Sequence, residues 1–237
     1  MACCLFYLSA NMTISKFLVG TITSLVMSSV LASGGVQLDR SRILIKDGKT
    51  AASYAIQNHY DSPLLARAII TNFDGTPSTA FAVSPSLFQI KPKATFQSQV
   101  VQLEKLPNDR ESVFWLTVKT VLASDKKEEK SPNAVEFAIA QSIKLFYRPK
   151  GISDNCESAV KKIEWYKTSK GLKAKNPSAV SVSLVKVKSG TTESSIGDTL
   201  LPFEEKEWNA VINSNAETVF TFVDEYGNFL EKKINFK

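Results

Sequence analysis

Residues Asn133–Pro149 read NAVEFAIAQSIKLFYRP, and the first part of the run alternates. Val135, Phe137 and Ile139 fall on one parity, Glu136, Ala138 and Ala140 on the other. A period of two, carried by β-branched and aromatic residues, is the pattern of a half-buried strand. The run is long for a strand, most of which span about 3–10 residues. Pro149 ends it, because proline has no N–H to give to a ladder. The large residues admit two readings. They line a core, or they form an edge that a second protein must cover, since an unpaired edge invites association.

Outward from this stretch the chain keeps to one idiom. Val36–Ile45 reads as a first strand, and Lys46–Lys49 as a turn. Ser53–His59, Leu65–Phe73, Thr95–Leu103 and Glu111–Leu122 follow as short apolar runs, with Pro63, Pro77, Pro85, Pro92 and Pro107 in the gaps. No sustained helical stripe capped at both ends is present in the sequence. Short strands with regular turn signals predict an all-β protein of sandwich type. Residues 34–149 have the length of one immunoglobulin-like sandwich, about 100 residues. Residues 150–155 are polar and read as a linker. Residues 156–237 hold further runs at Lys161–Lys167, Gly171–Asn176, Val180–Val187, Val219–Asp224 and Phe229–Phe236, enough for a second, smaller domain. Two sandwiches meeting near Pro149 would leave a cleft between them.

The N-terminus reads as an export signal. Lys16 precedes the apolar run Phe17–Leu31, no acid occurs in the first 33 residues, and Val30-Leu31-Ala32 suits a signal peptidase. The apolar run falls short of the roughly 20 residues that span a bilayer. Residues 1–33 are assigned to the signal, with Met12 as an alternative start that makes residues 1–11 an extension. Cleavage removes Cys3 and Cys4 and leaves Cys156 as a lone thiol, read as buried or close to the linker, so no internal disulfide is expected. No cysteine stands at the cleavage site to carry a lipid. Of 237 residues 43% are apolar and 22% charged, which excludes a disordered or multi-span membrane chain. The net charge of +6 is scattered, and Lys126–Lys130 balances itself as KKEEK, so nucleic acid is not the expected partner.

Catalytic motifs are not found. The single histidine, His59, gives no His-rich metal site, and no Gly-x-Ser-x-Gly elbow accompanies it. Gly48-Lys49-Thr50 resembles the end of a phosphate loop, but Ile43 stands where that loop needs glycine. Glu128-Glu129 and Glu204-Glu205 sit in polar runs and read as solvated loop. The expectation is a protein that is not an enzyme and uses no cofactor and no metal.

Four blocks carry a family resemblance. Ile143–Pro149 (IKLFYRP) resembles the signature closing the first domain of periplasmic pilus-assembly chaperones. Leu106–Ser112 (LPNDRES) is similar to the sequence before that family's preceding strand. Leu38–Arg42 (LDRSR) resembles its first-strand motif, and Glu225–Gly227 (EYG) a late second-domain motif. The blocks stand in family order and span essentially the whole chain after the signal.

The resemblance implies two immunoglobulin-like domains in an L or boomerang, with a cleft between them. It also implies a function: holding pilus subunits by donor-strand complementation, preventing premature polymerisation, and delivering them to an outer-membrane usher. Arg42 and Lys144 match the two basic cleft positions that hold the subunit's C-terminal carboxylate. A guanidinium fork and a compact ammonium suit that ligand. Val135, Phe137 and Ile139 match the donor-strand positions. Lys144 has the opposite parity from them, so either a bulge re-aims it or anchor and donor residues use different faces. Glu111, Arg148 and Glu225 match an interdomain charge network, with Glu225 replacing the family's aspartate and adding one methylene. The short loop after Ala123 and the missing first-domain cysteine pair place the chain with the short-loop subgroup. The resemblance further implies a periplasmic location and a reason to self-associate when free. The alternative reading is a secreted all-β structural or adhesin-like surface subunit.

Overall fold

The first apolar run is two strands, and they belong to different sheets. In the computed structural model, which describes residues 35–123 and 137–237, Val36–Leu38 (β1) and Arg42–Ile45 (β2) are separated by a bend at Asp39–Ser41. The Asp39 carboxylate accepts the Ala55 N–H at 3.0 Å, and the Asp39 N–H donates to the Ala55 carbonyl at 3.0 Å. These bonds hold the bend against Ala51–Asn58 (β3). The single expected strand 36–45 is therefore corrected to two.

The remaining first-domain strands are Leu64–Asn72 (β4), Phe81–Ser84 (β5), Leu87–Ile90 (β6), Thr95–Gln102 (β7), Ser112–Leu122 (β8) and Ala138–Tyr147 (β9). They form two sheets, ordered β1-β3-β7-β5 and β2-β9-β8-β4-β6. Tyr54, Ile56, Leu64, Leu116 and Leu145 are buried between the sheets, and each side chain removed from water contributes about 1.5–3 kcal/mol. β9 begins later than the alternating run; Val135 and the export segment lie outside the described residues.

A helix that the sequence pattern does not announce follows Pro149. Cys156–Lys162 (α1) starts at Asn155, whose side chain accepts the Ser158 N–H at 2.8 Å. The Ser158 hydroxyl in turn accepts the Asn155 N–H at 2.9 Å, which completes a capping box. The strand expected from Lys161 thus begins only at Glu164. The second domain continues as Glu164–Thr168 (β10), Gly171–Lys175 (β11), Val182–Ser189 (β12), Thr192–Leu200 (β13), Glu205–Asn209 (β14), Thr218–Val223 (β15) and Phe229–Lys233 (β16). Its sheets run β10-β11-β14 and β13-β12-β15-β16 around Trp165, Leu172, Leu184, Leu200 and Phe220. Glu205, expected in a loop, opens β14 and pairs with Lys173 at 2.9 Å. Among the described residues the architecture is all-β apart from α1: two β-sandwiches, each with its own core.

Candidate functional site

The site is built on one parallel pairing. β2 runs alongside the end of β9 with Arg42 opposite Lys144 and Ile43 opposite Leu145. Ile43 and Leu145 are 1% and 0% exposed, so that parity faces the core. Arg42 and Lys144 therefore share the outer face, side by side, where the second domain approaches.

Each cation reaches across to that domain. The Arg42 guanidinium donates to the Val223 carbonyl at 3.2 Å and lies 5.5 Å over the Phe146 ring. The Lys144 ammonium donates to the Thr199 hydroxyl at 2.6 Å and the Ser183 hydroxyl at 3.2 Å, with the Trp115 ring 5.6 Å away. Burial, reinforced by the positive charge of Arg42 and opposed by Asp198, lowers the Lys144 pKa to about 8. Burial also pulls Arg42 down, against the nearby acids Asp224 and Glu111, yet a guanidinium keeps its charge. Two adjacent cations, partly desolvated and held by neutral acceptors, are suited to take up an anionic group.

Below them Arg148 is the centre of a buried ionic knot. Its Nε and Nη2 both donate to one Glu111 oxygen, at 2.9 and 2.8 Å, and its Nη1 donates to Glu225 at 2.5 Å. The other Glu111 oxygen accepts the Ser181 N–H at 3.0 Å, and Glu225 also accepts the Cys156 N–H at 3.2 Å. First-domain β8 and β9 ends, the start of α1 and the β15–β16 turn are tied at one point. The extra methylene of Glu225 is accommodated. Burial raises the Glu111 carboxyl above its ordinary range, opposed by the Arg148 guanidinium and the Ser181 N–H; the fork cannot deprotonate, and its two bonds to Glu111 favour the ion pair. A cavity of about 20 Å³ lies against this knot, bounded by Arg42, Cys156 and Ser181. Cys156 is buried, with its thiol pushed up to about 12 by burial.

β9 pairs with β8 without interruption from Ala138 opposite Val121 to Tyr147 opposite Ser112. No bulge intervenes, so Ile139 and Lys144 lie on opposite faces, which resolves the parity question. β2 covers the other edge of β9 only from Lys144 to Tyr147. Among the described residues, no strand pairs with that edge from Ala138 to Ile143. Ile139 is half-buried there, and Phe137, just before the strand, is 78% exposed. The structure thus brings Arg42 and Lys144 together, and Glu111, Arg148 and Glu225 together; Ile139 stands farther along the strand that carries Lys144, and Phe137 just before its start. His59 is exposed at the end of β3. Sequence reading missed Thr199, Ser183 and Trp115, and no motif marks any of them.

Residues 35–153 match the model for the pili and flagellar-assembly chaperone N-terminal domain, and residues 158–233 match the C-terminal domain of pili assembly chaperones. The chaperone protein FocC of Escherichia coli is 29% identical over 206 residues, covering 84% of this chain and 88% of its own. The chaperone protein LpfB of Salmonella typhimurium is 31% identical over 172 residues, covering 69% and 73%. Among solved structures, the SafB chaperone of Salmonella enterica, in complex with the SafA pilin, superposes with a TM-score of 0.73 at 21% identity, covering 84% and 96%. The chain belongs to the pilus-assembly chaperone family. Among the described residues, no helix is long and apolar enough to cross a membrane.

Proposed function

We propose that this chain is a periplasmic chaperone that captures pilus subunits on β9 and hands them to an outer-membrane usher. The observation that carries this reading is the side-by-side placement of Arg42 and Lys144 at the closed end of a strand whose edge is otherwise unpaired among the described residues. A subunit strand added to the Ala138–Ile143 edge would gain a ladder of backbone hydrogen bonds, as in donor-strand complementation. Phe137 and Ile139, with Val135 in the sequence before them, would fill the subunit's groove. The subunit's terminal carboxylate would end at Arg42 and Lys144, which fixes register. The Glu111–Arg148–Glu225 knot keeps the two domains at the angle this requires, with residues 34–149 and 156–237 as the domains. The work is binding and release, without a catalytic step or cofactor. The free protein covers its open edge by self-association.

Co-purification tests the assignment. The tagged chain, exported together with a pilus subunit from the same genome, should recover the subunit in stoichiometric amount, and Arg42→Ala or Lys144→Ala should lose it while remaining folded. Wild-type recovery in either variant would exclude the carboxylate anchor. Homopolymers of the chain itself, with subunits stable in its absence, would instead favour a surface subunit.

A further inference from the structure

An ammonium has three donors, and the second domain accepts two of those of Lys144. The acceptors are unusual for their position. Thr199 on β13 and Ser183 on β12 face each other across one rung, at 0% and 4% exposure, among the buried Val182, Leu184 and Leu200. Their hydroxyls lie 3.5 Å apart, and among the described residues the other hydrogen-bond partner of each is Lys144. A buried hydroxyl costs stability unless it is bonded, and valine would fill the Thr199 volume without that cost. Their chemistry is therefore directed at the ammonium. The charged groups around Lys144 are Arg42 from β2 and Asp198 from β13. Asp198 is already engaged by Lys206 at 2.7 Å and the Trp208 N–H at 3.0 Å.

Resting on the proposed carboxylate anchor, we propose that Thr199 and Ser183 are its positioning residues: two second-domain hydroxyls that aim the Lys144 ammonium into the cleft and leave one N–H for the subunit's terminal carboxylate. The donor strand belongs to the first domain, but the anchor is complete only when both domains are docked. Holding a long, rotamer-rich side chain in place before the partner arrives lowers the ordering cost of capture. Two neutral acceptors also favour the charged form of Lys144 against its burial and Arg42.

The test uses the exported full chain with Thr199→Val, Thr199→Ser and Ser183→Ala. NMR titration of the lysine side chains reads Lys144 without a partner, and co-purification with a pilus subunit from pH 6 to 9 reads capture. Loss of one hydrogen bond to a charged group should move the Lys144 midpoint roughly one pH unit lower in Thr199→Val. Capture should weaken about tenfold at pH 7 and fall off at correspondingly lower pH. Thr199→Ser should restore both. Should Thr199→Val fail to fold, Ser183→Ala carries the same test with a smaller shift of the same sign. An unmoved titration overturns the proposal, as does a moved titration with unchanged capture at every pH. Wild-type capture by Lys144→Ala removes the anchor reading itself; loss in Lys144→Ala with no loss in Thr199→Val removes only the positioning role.

Discussion

Replacing Arg148 with alanine should be among the most destabilising single changes outside the two cores. The guanidinium makes three charge-assisted hydrogen bonds, and the side chains involved are 7% exposed for Arg148, 1% for Glu111 and 15% for Glu225. The expected loss comes less from those bonds than from what remains, a Glu111 carboxylate shut away from water with no cation. Removing one partner of a buried pair costs about 3–5 kcal/mol. For a chain of this size each kcal/mol is about 2–4 °C, so the melting midpoint should fall by roughly 6–20 °C. The sign of the pH dependence follows. Without Arg148, burial raises the native Glu111 pKa above its unfolded value, so the native state holds a proton that the unfolded state releases. The variant's deficit should then be small at acid pH and grow as pH rises through the native value. Guanidinium unfolding of wild type and Arg148→Ala at pH 5 and pH 8 reads both effects. Arg148→Met with Glu111→Gln should recover much of the loss, since the fully buried charge is then gone and only the part-exposed Glu225 carboxylate is left without a cation. A loss below about 1 kcal/mol, equal at both pH values, would refute the stranded-charge argument.

Further expectations can be checked with the same material. Lys144, at about 8, is mostly charged at pH 7 and mostly neutral at pH 9, so subunit capture should decline above pH 8 and draw a proton from buffer on binding; calorimetry in buffers of different ionisation heat measures that uptake. Because the native value lies below that of the unfolded lysine, the unfolded chain binds more protons between about 8 and 10.5, and this group's contribution to stability rises with pH across that window. Phe137→Asp should abolish subunit capture with the melting midpoint nearly unchanged, since the ring is 78% exposed; a large fall in midpoint would show a core role instead. Gly227→Ala should destabilise the β15–β16 turn by at least about 1–2 kcal/mol, because its φ is 95° and a new Cβ would lie 2.4 Å from the Ser41 hydroxyl. Adding Ser41→Gly should relieve the clash but not the backbone strain, and full recovery in that double variant would contradict the φ argument.

What the sequence made legible was decided by contrast. Arg42 in LDRSR and Lys144 and Arg148 in IKLFYRP were legible through the contrast between family motif and surrounding sequence, since by residue type alone each reads as an ordinary surface charge. Glu111 and Glu225 came with Arg148, but the groups that Lys144 meets carried no such mark. Thr199 lies in TESSIGDTL, a run without alternation, so β13 went unread and its hydroxyl with it. α1 spans seven residues, too short for an apolar stripe, and its only signal was the Asn155–Ser158 capping box. The bend that splits β1 from β2 has neither glycine nor proline; an aspartate bonding to the backbone of β3 makes it. The parity of Lys144 could not be settled from periodicity, because one inserted residue reverses every side chain beyond it. The unbroken β8–β9 register settles it, with a consequence for mechanism. One strand offers its edge at Ala138–Ile143 and its outer face at Lys144, and only a second domain packed over that face can shape the anchor. A first domain isolated from the second would keep the open edge while losing the contacts of Lys144 to Thr199 and Ser183 and of Arg42 to Val223, so under the proposed function strand addition and carboxylate recognition would be separable on the same ten-residue strand.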